Sequence, residues 1–567
     1  MKKIFTLLSA ALLCFGASAA SATTVCQVKK AAPVKEVRAE RAAKAKAMSA
    51  PMRSNDLGAL ELNFPPADAQ EKQYSRNCEF FMLDYGGLFH SDDYGAVSKV
   101  AYDGTKVYIY SPFTGMPTDT YLVGELSGDK VTVTFPQKID VYEYEDYDND
   151  PTGELGLMIT ENYYAYEVIF SSDGETESLK ASEDQTVTFT VTDNGLVQDG
   201  DTFIAMLLGE EVEDGNGNKG YQLSWTGYAD ARVELTEVTA EPLTIPEGLA
   251  LETWVMTADE VSHLVKVAMS GADVYVQGLF ADMPEAVIKG SFDGANVTFA
   301  TDQFLGVCGS VEHYAYFIPA DYTYVPATSD DEEDTYDFVA LASVSLAFDA
   351  EAKTLSTPEG KAVTFSTIPG QRIYYIDAYL EPQFAWQDMS TPMTPADPEI
   401  VAFENLFDDY GFSIFDYILP TLSTDGRVLD KRNCFYNILI DGEPMVVYYE
   451  DFEDVSLSTE YTDIPVDYED FYNITNFYEY VEALIFMDGY DSIGIRMMYI
   501  NEDGTMTYSN VVTYGSESVE DIEGSAEVVD VKYFDINGRA VSGDARGLVI
   551  GVYKMSDGKV KVAKLVK

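Results

Sequence analysis

The chain has 567 residues and a formal net charge of −60, with 96 acidic side chains against 36 basic ones. Such an acidic surface repels phosphate backbones and anionic membranes, which excludes nucleic acid and lipid surfaces as partners over most of the molecule. The length indicates several domains, and the 40 tyrosines and 13% aromatic content are typical of β-structure.

The first 22 residues have the pattern of a secretory signal peptide. Lys2 and Lys3 precede an apolar run over 4–15, and small residues follow as far as Ala22. The run is too short to span a membrane, and no later segment has the roughly 18–20 apolar residues that a spanning helix needs. We therefore expect a protein that is secreted or held at the outer-membrane surface, with no transmembrane segment after cleavage.

Residues 23–72 are predicted to be a flexible linker, because they are basic, rich in small side chains and poor in aromatic ones. Four cysteines remain beyond the signal peptide, which is too few in so long a chain for a disulfide framework. The sequence does not say whether any of them pair. They are Cys26, Cys78, Cys308 and Cys434.

Two duplicated β domains are predicted next, domain A over 73–241 and domain B over 242–390. Alternating runs such as 106–111 are separated by Gly, Asp and Asn, as in β-hairpins. The stretch 107–135 matches 274–299 at a nearly constant offset, so we expect two copies of one antiparallel, sandwich-like β domain. The matched pairs are Gly104/Gly271, Val107/Val274, Tyr108/Tyr275, Phe113/Phe280, Met116/Met283, Pro117/Pro284, Gly128/Gly294 and Val131/Val297.

Residues 391–516 are predicted to form a third β unit. Alternating strands surround two Asp-Gly turns, at 441–442 and 503–504. Strands at this spacing are typical of an immunoglobulin-like or fibronectin-type sandwich.

The last segment, 517–567, differs from the rest in charge. Residues 528–567 hold eight Lys or Arg against four Asp. A strand-like run leads into one Asn-Gly-Arg motif, a Gly-Val-Tyr run follows, and spaced lysines end the chain. The residues that carry this pattern are Asn537, Gly538, Arg539, Gly551, Tyr553, Lys564 and Lys567.

This pattern resembles the C-terminal sorting domain of proteins exported by the type IX (Por) secretion system of Bacteroidetes. The resemblance implies a small β module that the export machinery recognises, and hence a secreted or outer-membrane location. The first half of the family's domain is missing, so the tail is either a working export tag or a relic on a periplasmic or surface protein. The duplicated segments and the third unit also resemble repeats of unknown function in secreted Bacteroidetes proteins.

The sequence predicts no catalytic, cofactor-binding or metal-ligating residue. The three histidines, His90, His263 and His313, are dispersed and fit no zinc motif. His313 stands where the first copy has Tyr163, which indicates packing. The GxGxxG pattern at 215–220 lies between acidic residues and a strand, which indicates a hairpin loop and not a phosphate site.

Two groups of residues are hypotheses for ligand contacts. Three tryptophans have the ring type that stacks on sugars, although alternating strands also predict half-buried core indoles. Three alternating acids resemble part of a Ca²⁺ loop, but a proline stands where the turn glycine belongs. The tryptophans are Trp225, Trp254 and Trp386, and the acids are Asp146, Asp148 and Asp150.

Together these features favour a non-catalytic protein of the cell surface or exterior, acting in adhesion or ligand binding. Its partners would be the secretion machinery, through the tail, and a glycan or a surface protein. One alternative is a glycan-binding accessory protein of polysaccharide uptake. A second is a glycoside hydrolase with paired carboxylates, which so many acidic residues neither identify nor rule out.

Overall fold

A computed structural model describes most of residues 57–566. The gaps are 85–86, 111–112, 115–117, 147–156, 173–176, 183, 214–218, 259–260, 328–334, 371–374, 408–410, 449–459, 467–473, 478–479, 488, 515–527, 535–539, 542–547 and 556–559. The described residues form 41 β-strands and two short 3₁₀ turns, Leu57–Ala59 and Lys431–Asn433. The prediction of an all-β chain with several antiparallel sheets is therefore confirmed.

The chain divides into two compact units. One contains the described part of Thr23–Val261 together with Val265–Ala385, and the other contains Trp386–Lys567 and Ser262–Leu264. Predicted copy A and nearly all of predicted copy B thus lie in the first unit.

Copy A is built from twelve strands. They are β1 (Gln70–Asp84), β2 (Gly87–Asp103), β3 (Lys106–Tyr110), β4 (Tyr121–Ser127), β5 (Lys130–Thr134), β6 (Gln137–Asp146), β7 (Leu157–Ser172), β8 (Glu177–Ala181), β9 (Thr186–Val191), β10 (Gly195–Gln198), β11 (Phe203–Glu213) and β12 (Lys219–Glu237). Eight of them pair antiparallel in the cyclic order β1-β2-β3-β4-β5-β9-β10-β12, and β12 returns to β1. Copy A therefore contains a closed ring of eight strands.

Copy B is built from thirteen strands. They are β13 (Glu252–Ala258), β14 (Val261–Ser270), β15 (Asp273–Gln277), β16 (Val287–Phe292), β17 (Asn296–Ala300), β18 (Gln303–Cys308), β19 (His313–Val325), β20 (Thr335–Ala340), β21 (Ser343–Asp349), β22 (Thr354–Ser356), β23 (Lys361–Ser366), β24 (Tyr375–Leu380) and β25 (Gln383–Trp386). The strands β13-β14-β15-β16-β17-β21-β22-β25 close into a barrel. This order is the one found in copy A, with β24 and β25 taking the place of the two halves of β12.

The strands outside each ring form a second sheet with the same pairing in both copies. In copy A, β7 pairs with β6, β8 and β11, and β11 pairs with β12. In copy B, β19 pairs with β18, β20 and β23, and β23 pairs with β24. The duplication that the sequence indicates thus extends to the whole strand plan.

Side chains fill both rings, as is usual for barrels of eight strands. Phe113 and Phe280, matched between the copies, are each only 2% exposed in the two barrel cores. Where the cores are tightest, the strand carries glycine. A Cβ on Gly124 would lie 2.6 Å from Val131 Cγ1, and one on Gly290 would lie 2.8 Å from Val297 Cγ1.

Each copy has a glutamine, at the start of β6 in copy A and of β18 in copy B, that links three strands by hydrogen bonds. Gln137 Nε2 donates to the carbonyls of Val123 and Thr134, and its Oε1 accepts from Val123 N. In copy B, Gln303 Nε2 donates to the carbonyls of Lys289 and Ala300, and its Oε1 accepts from Lys289 N. These backbone partners are identical once the offset of 166 is applied.

The third unit contains two main antiparallel sheets that enclose one core, and two further strands that form a small sheet of their own. Its strands are β26 (Glu399–Asn405), β27 (Ser413–Ile418), β28 (Cys434–Ile440), β29 (Glu443–Pro444), β30 (Val447–Tyr448), β31 (Glu460–Tyr461), β32 (Ile464–Pro465), β33 (Ile474–Phe477), β34 (Tyr480–Ile485), β35 (Ile493–Ile500), β36 (Met506–Tyr508) and β37 (Val512–Tyr514). One sheet is β26-β27-β34-β33, and the other is centred on β28 and β35. The turn at Asp441 and Gly442 has positive φ at both residues, as a tight Asp-Gly hairpin requires.

The C-terminal segment forms a four-stranded antiparallel sheet in the order β39-β38-β40-β41. Its strands are β38 (Val528–Phe534), β39 (Ala540–Val541), β40 (Leu548–Met555) and β41 (Val560–Val566). Gly551 and Tyr553 lie in β40 and Lys564 in β41, while the Asn-Gly-Arg motif and Lys567 lie outside the described residues.

The predicted linker over 23–72 extends too far toward the C-terminus. Leu57 is 1% exposed in the core of copy A, Leu62 bridges to Lys138, and β1 already begins at Gln70. Apolar side chains at the end of the predicted linker contact the second sheet. The low aromatic content of this stretch gave no indication of that contact. The signal peptide and the rest of the linker lie outside the described residues.

We expect Gln303→Ala to lower the free energy of unfolding of barrel B by about 1 kcal/mol, because the partly buried backbone groups of Lys289 and the exposed carbonyl of Ala300 lose their side-chain partner. Urea unfolding would be followed by the fluorescence of Trp254, which lies in that barrel core, in a Trp225→Phe/Trp386→Phe background. Gln277→Ala is the control, since that side chain bonds only an exposed glutamate. Equal effects of the two substitutions would contradict the structural role of Gln303.

Candidate functional site

Among the described residues, a group of buried ionisable side chains lies where copy A meets copy B. Arg76 and Cys78 on β1, Asp93 on β2 and Asp230 on β12 converge on Thr114, and His313 at the start of β19 reaches Asp93. We call these six residues the junction cluster. Five come from copy A, and His313 comes from copy B.

Arg76 and Asp230 form the buried ion pair of this cluster. Arg76 Nη1 lies 3.3 Å from Asp230 Oδ2, and both side chains are almost fully buried. The same carboxylate oxygen accepts from the Thr114 amide at 3.0 Å. Burial raises the pKa of Asp230 to about 6, although the Arg76 charge acts in the opposite direction. A buried pair of this kind is costly to break, because the remaining charge would be left without a partner.

Asp93 links the ion pair to His313. Its Oδ2 accepts from the Thr114 hydroxyl at 3.1 Å, and its Oδ1 lies 2.7 Å from His313 Nε2. Burial is the largest single influence on Asp93 and opposes its ionisation, but the hydrogen bond and charge of His313, the charge of Arg76 and the hydrogen bond from Thr114 together hold the pKa of Asp93 below its usual value. Burial is also the largest influence on His313 and opposes its charge, but the hydrogen bond and charge of Asp93 together with the Val311 carbonyl raise the pKa of His313 above its ordinary value of 6.5.

Cys78 does not have the properties of a nucleophile. Burial, reinforced by the negative charge of Asp230, raises the pKa of the thiol well above its ordinary value. Its Sγ lies 3.2 Å from Thr114 Oγ1 and 3.6 Å from Asp230 Oδ2, while His313 is bonded to Asp93. A reactive cysteine needs a stabilised thiolate, and this environment disfavours one. The junction cluster therefore acts as an internal polar link. Cys308 and Cys434 are likewise buried free thiols.

A groove of about 310 Å³ lies at one end of the third unit. We call it the aromatic groove. Its lining comes from the end of β26, the starts of β27 and β35, the loop before β35 and the end of β37. The lining residues are Phe403, Asn405, Phe407, Ser413, Met487, Gly489, Tyr490, Asp491, Ser492, Ile493 and Tyr514.

Three rings form the apolar wall of the aromatic groove. Phe403 lies between Tyr490, at 6.3 Å between ring centroids, and Tyr514, at 5.1 Å. Tyr514 is 43% exposed, so one face remains open to solvent. The hydroxyl of Tyr490 is buried and has no hydrogen-bond partner among the described residues. The wall thus combines open aromatic surface with an unused polar group.

The polar side of the groove is held by the Asp-Gly hairpin. Asp441 Oδ1 accepts from the amides of Asp491 and Ser492, each at 2.8 Å, which fixes the loop before β35. Asn405 is exposed across the groove, and its Oδ1 accepts from the Phe407 amide at 3.0 Å. Aromatic faces beside amide, hydroxyl and carboxylate groups are the usual composition of a small-molecule site.

The tryptophans proposed from the sequence occupy three different environments. Trp254 is 3% exposed in barrel B, so its ring cannot present a face to a ligand. Trp225 is half-buried on β12, with Nε1 donating to the Tyr228 carbonyl at 2.9 Å. Trp386 is 39% exposed at the end of β25. None of them lines the aromatic groove.

The remaining sequence candidates are placed only in part. Asp146 ends β6, whereas Asp148 and Asp150 lie outside the described residues. Within the described ranges, no three His, Cys, Asp or Glu side chains are grouped as metal ligands would be. In the same part of the chain, no helix is long and apolar enough to cross a membrane. Sequence patterns did not indicate the groove, because its residues come from four separate segments of the chain.

We expect Arg76→Met to lower the stability of copy A by about 3–5 kcal/mol, because it leaves Asp230 buried without its cation. The double variant Arg76→Met/Asp230→Leu should recover much of this loss. Urea unfolding followed by Trp225 fluorescence in a Trp254→Phe/Trp386→Phe background would measure both. Lys130→Met, which breaks an exposed pair with Asp199, is the control and should change little. A double variant as unstable as the sum of the single ones would contradict the coupling.

No protein-family model matches the chain, and neither a curated protein nor a solved structure is similar enough to count as a match.

Proposed function

We propose that this protein is a non-catalytic β-protein that acts at the cell surface or outside the cell and binds a ligand through its third unit. The observation that carries the proposal is the aromatic groove, in which Phe403, Tyr490 and Tyr514 stand opposite exposed polar groups. The signal-peptide pattern and the resemblance of the tail to a type IX sorting domain support the location. We also propose that the third unit is a fibronectin-type or immunoglobulin-like sandwich.

A glycan is the ligand class that the aromatic groove favours. Sugar rings present apolar C–H faces and a rim of hydroxyls, which match an open tyrosine face beside Asn405 and Asp491. The net charge of −60 disfavours anionic polysaccharides, so the glycan should be neutral. A glycan-binding accessory role in polysaccharide uptake follows from this version of the proposal, and adhesion follows if the glycan belongs to a cell surface.

Tyr514→Ala should weaken binding to a neutral polysaccharide by roughly three- to tenfold, the range expected when one aromatic contact is lost. Affinity electrophoresis in gels with neutral or anionic polysaccharides would identify a ligand, and calorimetry would measure the change. Tyr508→Ala is the matched control, because Tyr508 is 44% exposed in the same unit but stands outside the groove. No retention by any polysaccharide, or equal losses in both variants, would contradict the glycan proposal. Turnover of a retained polysaccharide would instead support a glycoside hydrolase.

Deletion of 528–567 should leave the protein in the periplasm of its host if the tail is a working export tag. Fractionation and surface proteolysis of cells that carry the full-length and the shortened chain would show the difference. Urea unfolding of the purified shortened chain, followed by tryptophan fluorescence, is the control for folding of the remaining chain. Unchanged surface exposure after the deletion would contradict the export role and favour a relic.

A further inference from the structure

The two copies meet along a short backbone contact beside the junction cluster. His313 pairs with Ala96 where β19 meets β2, and Val97 N donates to the Glu312 carbonyl at 3.0 Å. Next to it, Gly95 approaches the backbone of Thr367 so closely that an added Cβ would lie 2.1 Å from the Thr367 carbonyl oxygen. The hydrogen bonds made by His313 therefore act at the place where copy B joins copy A.

Both ring nitrogens of His313 face acceptors. Nε2 lies 2.7 Å from the Asp93 carboxylate, and Nδ1 contacts the Val311 carbonyl oxygen. A neutral imidazole has one donor nitrogen, so one of these contacts would bring two lone pairs together. Only the imidazolium donates to both. The geometry thus fits the protonated ring, independently of any titration argument.

The charge balance of the junction cluster leads to the same conclusion. Arg76 carries one positive charge, and the carboxylates of Asp93 and Asp230 carry two negative ones when ionised. Protonated His313 makes the sum zero, whereas neutral His313 leaves a buried excess of one negative charge. The groups that face His313 are Asp93 and Arg76 on copy A and the Val311 carbonyl on its own segment, and Cys78 and Asp230 follow behind Thr114. An uncompensated buried charge is costly.

We propose that His313 and Asp93 form a proton-controlled clasp between the two barrel copies, closed while the imidazole is protonated and loosened when it loses its proton. The clasp would make the junction firm in mildly acidic surroundings and weaker in mildly alkaline ones. A protein outside the cytoplasm is exposed directly to such changes of pH. The stability of the junction would therefore follow the external pH.

The direction of the pH dependence follows from two groups that act in the same sense. The pKa of His313 is raised above 6.5 in the folded protein, so its stabilisation is complete below pH 6.5 and is lost as the pH rises through the folded value. Asp230 acts in the same sense at lower pH: its pKa is raised from 3.8 to about 6, so the stability that depends on it falls between these two values and is already lost where His313 begins to titrate. Stability of the junction therefore falls from mildly acidic to mildly alkaline pH.

The first test is the titration of His313 in the full-length protein. Because the chain has three histidines, His90→Gln/His263→Gln leaves His313 as the single imidazole signal for ¹³C-labelled histidine NMR. We expect a midpoint above 6.5, which Asp93→Asn should lower to 6.5 or less. A midpoint at or below 6.5 with Asp93 present would overturn the proposal, whether or not any His313 variant folds.

The second test is amide hydrogen exchange of 94–99 between pH 6 and pH 8.5, corrected for the intrinsic exchange rate. Protection of the Val97 amide should fall by about tenfold for each pH unit by which the pKa of His313 exceeds 6.5. In His313→Gln the protection should no longer change with pH, whereas His263→Gln should behave like the wild type. Strand β16 of barrel B serves as an internal reference. Constant protection in the wild type, or the same pH dependence in His313→Gln, would overturn the proposal.

Discussion

Closure of an eight-stranded ring is the constraint on which the first unit depends. A ring of this size has an interior that side chains must fill, and it leaves no strand edge within the ring. The matched phenylalanines Phe113 and Phe280 supply volume, and Gly124 and Gly290 make room where Val131 and Val297 project inward. The glutamine contacts of Gln137 and Gln303 hold β6 and β18 to the ring wall. Both copies keep this barrel plan. The residues that match between the two copies are therefore packing and turn residues without reactive side chains.

What differs between the copies lies outside the rings. The long strands β1, β2 and β12 of copy A extend beyond the ring into the second sheet, and the junction cluster lies among them. There His313 of copy B has Asp93 of copy A as its partner. The duplicated plan therefore preserved the cores, while new polar contacts arose where two cores had to be joined. The aromatic groove, where we propose that a ligand binds, lies elsewhere again, in the third unit.

The sequence predicted the elements better than their assembly. Alternation and turn glycines located strands such as β3, β5 and β9, and the Asp-Gly turn at 441–442, because these depend on neighbouring residues. Ring closure depends on pairings such as β5 with β9 and β1 with β12, which join distant segments and leave no local pattern. The same limit applies to the site. Asp93 and His313 are 220 residues apart in the chain, and packing alone was the interpretation that His313 received. The buried indole of Trp254 shows that residue type does not determine exposure.

The first and last strands of copy A lie side by side, with Tyr74 opposite Glu237. Copy B closes in the same manner, since β13 and β25 are both members of its barrel. Each copy consequently begins and ends at neighbouring points, an arrangement that tolerates insertion and circular permutation well. A gene segment encoding such a module can be copied in tandem without stretching either terminus across the molecule. The adjacency of the termini thus offers a physical route by which one ancestral barrel became two.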